Sequence, residues 1–271
     1  MNVFDIHTHI YPDALAERAV ANLGRFYDFQ PAGKGTYADL AAHAAQSGVG
    51  GFLLLAVATN AHQVPKVNDG VATAAAEARR AGFLGFAFGG MHQDYADFEG
   101  EIARCEALGI RGIKIHPDIQ GVDIDDPKLL PLYEIAAGRM PIYFHMGDDR
   151  PQYRFSEARK LARILEMFPK LEVAAAHLGG YRRQDEAIEY LAGNERVWYD
   201  TSSALWYLDP AEATRIIRRL GTERMMFGTD YPVLYPEDEF VLFDRLALTD
   251  RERENILWHN ALRFLRVPEK A

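Results

Sequence analysis

The sequence predicts a (β/α)8 barrel, a TIM barrel, and three observations predict it. The chain has 271 residues, near the usual size of such a barrel, about 250 residues. Short apolar runs alternate with longer amphipathic ones eight times, which implies parallel β-α-β units. Finally, His7, His9, His145, His177 and Asp230 stand at the C-terminal ends of the first, fifth, sixth and eighth runs. An open doubly wound sheet would hold those strands many widths apart, with its ligand at one switch point. A closed barrel brings their ends to one mouth, where barrel active sites lie.

The predicted strands are 3–7, 51–57, 83–88, 112–116, 141–145, 172–176, 197–201 and 224–229. Helical patterns fill the gaps at 37–47, 65–81, 96–108, 127–138, 156–168, 185–192 and 209–220, and two more follow the last strand at 240–246 and 249–265. Ser156 reads as a capped helix entry, Asp126-Pro127 puts proline at a helix start, and Gly109, Gly138 and Gly221 mark ends. The barrel is expected to be distorted by segment 10–36, inserted after the first strand, within a single domain over 1–271. That segment holds a short helix at 13–23 and then an irregular aromatic stretch. Because it follows a strand end at the mouth, it is expected to form a lid or pocket wall; the alternative is a dimer contact through Phe26, Tyr27 and Phe29.

Composition narrows the function. Hydrophobic residues make up 48% of the chain, enough for a sizeable core, and the net charge of −9 lacks the basic footprint of a nucleic-acid binder. The one cysteine, Cys105, cannot form an intrachain disulfide and is expected to be structural. No apolar run approaches a membrane span, and the N-terminal residues show no signal pattern, so the expected location is cytoplasmic. Gly33-Lys34-Gly35-Thr36 lacks the full phosphate-loop spacing, and no G-x-S-x-G elbow of a serine hydrolase is present.

His7 and His9 lie two apart in a strand, so their rings share a face and can close on one metal ion. Lys114 and His116 share a face by the same period. Arg150 and Arg182 lie just beyond strand ends and are candidates to hold a substrate carboxylate in a fork. His116 and Trp206 are expected to line the pocket.

The HxH in Asp5-Ile6-His7-Thr8-His9, the histidines ending strands five and six, and Phe227-Gly228-Thr229-Asp230-Tyr231-Pro232 resemble the amidohydrolase superfamily, most closely its amidohydrolase-related branch of hydrolases and non-oxidative decarboxylases. The resemblance implies that His7, His9 and His145 bind a metal and that Asp230 completes the site. His177 would be a further ligand or an acid/base group beside it. In some members a strand-four lysine is carboxylated and bridges two metals, a role open to Lys114. Nitrogen and carboxylate ligands without thiol suit zinc first, and also manganese, iron, cobalt or nickel. Zinc lowers the pKa of a bound water to about 7. The leading expectation is therefore hydrolysis of an amide, lactone or ester in a small molecule, with Asp230 shuttling the proton and His177 stabilising the oxyanion. The alternative is non-oxidative decarboxylation of a small unsaturated or aromatic acid. A non-catalytic barrel is the third reading. A homodimer is a candidate, with Trp206, Tyr207 and Trp258 as aromatic surface residues.

Overall fold

The computed structural model describes residues 2–268. Its eight strands, β1 (Val3–Thr8), β2 (Val49–Leu55), β3 (Leu84–Gly90), β4 (Ile113–Ile115), β5 (Ile142–Phe144), β6 (Val173–Ala175), β7 (Val197–Asp200) and β8 (Met225–Met226), form one parallel sheet in sequence order. Each overlaps a predicted strand. The ring closes between β8 and β1 through Ile6 N–H to the Phe227 carbonyl at 2.9 Å and His9 N–H to the Tyr231 carbonyl at 2.7 Å.

Helices α1 (Asp13–Tyr27), α2 (Tyr37–Ser47), α3 (Val64–Arg80), α4 (Phe98–Ala107), α5 (Pro117–Gln120), α6 (Leu130–Ala136), α7 (Ala158–Met167), α8 (Gln184–Leu191), α9 (Pro210–Leu220), α10 (Pro236–Phe243), α11 (Asp250–Glu254) and α12 (Asn260–Phe264) complete the chain. A π-turn at Asn255–His259 joins the last two, so the pattern at 249–265 is one interrupted helix.

Several expected boundaries move. Helix α1 runs past 23 to Tyr27. Gly24 does not break it, because that glycine serves close packing: a Cβ there would lie 2.7 Å from the Phe29 carbonyl. The helix stops where Asp28 turns left-handed at φ 57°. Ser156 does not cap α7, since its hydroxyl donates to Asp118 instead; likewise α6 begins three residues after Asp126-Pro127.

Period-two alternation divides the core into two shells. Ile113, Ile142, Val173 and Val197 pair in register and face the helices. Their neighbours Lys114, Tyr143, Ala174 and Trp198 pair in the next row and face the barrel axis. Below that row the axis is filled by Phe4, Phe86 and Phe88, and α12 seals it with Phe264. One inward step above it come His116, His145 and Asp200. The polar residues thus sit on an apolar plug, at the end where the strands terminate.

Candidate metal centre and pocket

His7 and His9 converge as the alternation requires, with their Nε2 atoms 3.1 Å apart. The proton on each ring follows from its other nitrogen. His7 Nδ1 faces Asp200 Oδ2 at 3.0 Å, and His9 Nδ1 faces the Leu55 carbonyl at 2.8 Å. Both partners only accept, so both Nδ1 atoms carry the proton and both Nε2 atoms present lone pairs. Asp230 Oδ1 lies 3.3 Å from His7 Nε2 and 3.5 Å from His9 Nε2. Three acceptors therefore face one point, which favours a cation there. The donor facing them is Lys114, with Nζ 3.4 Å from His7 Nε2. Burial pushes the Lys114 pKa down to about 8, partly offset by Asp230 and Asp200. The donor set fits a divalent ion with imidazole and carboxylate ligands.

Asp200 is the support beneath this trio. It is buried, accepts from His7 Nδ1, the Tyr143 hydroxyl, the His177 amide and Ser202, and so fixes two histidines at once. Burial alone would raise its pKa, but the adjacent His7 ring and its hydrogen bonds hold it well below the usual carboxylate range. Asp5 underpins the β8 end in the same way, accepting from the Thr229 hydroxyl at 2.7 Å and the His7 amide at 3.1 Å; burial lifts its pKa to about 7. The sequence reading assigned neither role, although Asp200 ends the run Val197-Trp198-Tyr199-Asp200 as the other site residues end theirs.

His177 would face the helices if alternation continued, because it follows inward-facing Ala176. A left-handed backbone, φ 62°, turns it into the mouth, and Asp230 also has a left-handed backbone, φ 57°. Non-glycine residues in that region store about 1–3 kcal/mol each, a recurrent feature of functional sites. Asp230 is steadied by the Ser203 hydroxyl, which donates to Oδ2 at 2.7 Å.

A second set of contacts orders His145, His177 and His116. The Ser202 carbonyl fixes the proton of His177 on Nδ1, at 3.1 Å. Its Nε2 must then accept from His145 Nδ1 at 2.9 Å, which leaves His145 Nε2 a lone pair. The Tyr27 hydroxyl, 3.2 Å away, donates to it. His116 Nδ1 accepts from the Ile119 amide at 3.3 Å, so its Nε2–H points at the Tyr27 oxygen, 3.1 Å away. Burial is the largest cause lowering the pKa of all three, with His177 near 4. The structure therefore does not bring His145 into direct contact with the His7, His9 and Asp230 trio, and His177 spends its free nitrogen on His145. His116, His145 and Asp118 form a separate buried group, but with its proton on Nε2 His116 offers that group a donor rather than a lone pair.

The cavity above the trio is walled by α1 and the loops after β6 and β7, with Phe26, Tyr27, Phe29, Tyr181 and Trp206 among its lining. Segment 10–36 thus forms pocket wall. His116 and Trp206 line it as expected. Arg150 and Arg182 do not. Arg150 is forked onto Asp148, Nε to Oδ1 at 2.9 Å and Nη2 to Oδ2 at 2.6 Å, and stacks on Tyr153. Arg182 lies over the Tyr207 ring, 4.8 Å from its centroid. Both charges are consumed locally by neighbours that the linear pattern did not reveal. The homodimer candidate gains no support from its aromatic residues, each of which has a partner or place within the chain. Tyr207 accepts from the Arg182 amide and Gln184, Trp258 packs edge-on against Phe4, and Trp206 belongs to the pocket. Cys105 is buried, and burial pushes its thiol up to about 12, in keeping with a structural role.

A family model described as amidohydrolase matches residues 4–267. Two curated relatives are 2-amino-3-carboxymuconate-6-semialdehyde decarboxylases. The one from Caenorhabditis elegans is 29% identical, over 62% of this chain and 58% of its own length; the one from Dictyostelium discoideum is 28% identical, over 61% and 56%. The chain therefore spans less than two thirds of the relatives it matches. The 5-carboxyvanillate decarboxylase of Novosphingobium aromaticivorans, solved with manganese and 4-hydroxy-3-methoxy-5-nitrobenzoic acid, shares the fold at TM-score 0.69 and 17% identity, covering 97% of this chain and 96% of that one. Decarboxylases among these relatives overturn the expectation of hydrolysis and favour the alternative, and nothing among them singles out zinc. Among the described residues no helix is long and apolar enough to cross a membrane.

Proposed function

The chain belongs to the amidohydrolase family, and on that premise we propose that it is a divalent-metal-dependent, non-oxidative decarboxylase of a small unsaturated or aromatic carboxylic acid, working as one domain over 1–271 in the cytoplasm. The observation that carries this reading is the convergence of three proton-free acceptors, on His7, His9 and Asp230, beneath an aromatic-walled cavity; the choice of reaction follows the decarboxylase relatives. His7, His9 and Asp230 hold one metal ion. His145, set apart from these three in the structure, is the fourth ligand that the family resemblance implies, and its Nε2 lone pair accepts from the Tyr27 hydroxyl. Lys114 remains an amine, and the ion is manganese or zinc. When bound, the ion supplies positive charge that holds the substrate carboxylate and polarises the adjoining oxygen.

The aromatic walls keep the planar body in register and exclude water. Asp230 keeps Oδ1 for the ion and delivers a proton from Oδ2, beside the Ser203 hydroxyl, to the carbon bearing the carboxylate. The carbon–carbon bond then breaks, its electron pair returns to the unsaturated system, and carbon dioxide leaves. His177, locked by Ser202, borders the reacting carbon and stabilises charge there.

The test is carbon dioxide release from a panel of hydroxybenzoates by manganese-loaded protein, with Asp230→Asn beside it. Release by the parent, reduced at least about 1,000-fold in the variant, is expected for loss of an acid/base group that also binds metal. No release from any unsaturated or aromatic acid would overturn the reading.

A further inference from the structure

The cavity is short of positive charge. Among the described residues no lysine or arginine lines it. Arg150 and Arg182 are engaged outside it, Arg25 lies on the exposed side of α1 and donates to the Asn22 side chain at the rim, and Lys114 is buried beneath His7. The negative groups nearby are not short: Asp230 lines the cavity, and Asp118 sits behind His116 and His145 with Oδ1 buried and without a partner. One substrate carboxylate can be met at the centre built by His7, His9 and Asp230. A second one, seated against Phe26, Phe29 and Trp206, would be desolvated with no countercharge, and it would face two carboxylates already present.

What the wall does offer is uncharged donors. Proton placement gives His116 an Nε2–H and Tyr27 an O–H at the same point, 3.1 Å apart. The Tyr27 proton rests on His145 Nε2, and it becomes free for a substrate oxygen whenever that lone pair is taken by another group. Tyr27 reaches this point only because α1 continues past Gly24.

We infer that the pocket selects a substrate with a single carboxylate on a flat apolar body and one uncharged, phenol-type oxygen, and that Tyr27 and His116 are the residues that bind this oxygen. The inference rests on the decarboxylase reading and separates this chain from its relatives, whose name denotes a substrate with two carboxyl groups.

The experiment is calorimetric titration of manganese-loaded protein with two probes that differ by one carboxylate, 2-hydroxybenzoate and 2-hydroxybenzene-1,3-dicarboxylate. The monoacid is expected to bind at least about tenfold tighter, because the extra carboxylate finds no partner. Tyr27→Phe and His116→Gln should each weaken both probes about fivefold, the worth of one hydrogen bond to the phenol oxygen they share, and leave the ratio between them unchanged. Asn22→Arg places a guanidinium on the exposed face of α1 at the cavity rim. It should bring the diacid level with the monoacid, a gain that a misfolded variant cannot produce. A diacid that binds the parent as tightly as the monoacid, failure of both probes to bind, or Tyr27 and His116 variants that bind like the parent would overturn the inference. Carbon dioxide is measured separately. Discrimination between the probes without release would sink the proposed reaction and leave the charge selection standing.

Discussion

The residue that most tightly links fold to chemistry is Asp200. It accepts the His7 Nδ1 proton and thereby leaves Nε2 free to face His9 and Asp230. Asp200→Asn can turn its amide toward Nδ1 and drive the ring proton to the other nitrogen, so manganese affinity should fall about 10- to 100-fold. Competition against a coloured chelator measures this, and unchanged affinity would mean that another group sets the His7 tautomer. Glu239 makes a different point. It is fully buried, and neither carboxylate oxygen has a partner. Burial, followed by the Asp5 and Asp200 carboxylates, pushes its pKa well above the usual 4.5. The folded state therefore holds a proton that the unfolded chain releases, and this contribution to stability is lost as pH climbs from the unfolded value toward the folded one. Glu239→Gln should accordingly raise the melting temperature over the parent at about pH 8 and match it near pH 4. The same offset at both pH values would refute the assignment.

At the scale of elements, α12 and α1 close opposite ends of the barrel. Phe264 on α12 packs within ring-contact distance of Phe88, Tyr143 and Trp198, at 5.8, 6.3 and 5.7 Å between centroids. Tyr143 in turn donates to Asp200, so the apolar plug is also the floor on which the polar network stands. Phe264→Ala should cost about 3–5 kcal/mol of stability, read from a denaturant midpoint. A loss under about 1 kcal/mol would place α12 outside the core. At the other end, α1 carries Phe26 and Tyr27 over the mouth. Its amphipathic start was plain in the sequence, but its extent was not. Gly24 reads locally as a breaker, and only the nearby Phe29 carbonyl shows that the glycine is there for packing.

For the whole molecule, eight alternating apolar runs were enough to specify the barrel, because period-two burial and β-α-β handedness leave few other ways to bury both faces of a parallel sheet. The same alternation put His7, His9, His145 and Asp230 at one mouth. What it could not carry was anything that depends on contacts between distant strands. His7 and Asp200 are 193 positions apart, and Tyr27 and His145 are 118 apart. The direction of each histidine proton, the separation of His145 from the His7, His9 and Asp230 trio, and the capture of Arg150 by Asp148 all arise from such packing. The choice between hydrolysis and decarboxylation lay beyond the motif too, since both reactions use the same strand-end residues. By itself the sequence determined the barrel and which polar side chains share its mouth, because backbone periodicity is local. Only the tertiary structure decided which lone pairs face one another and which charges are left for a substrate, because hydrogen-bond partners are chosen in space.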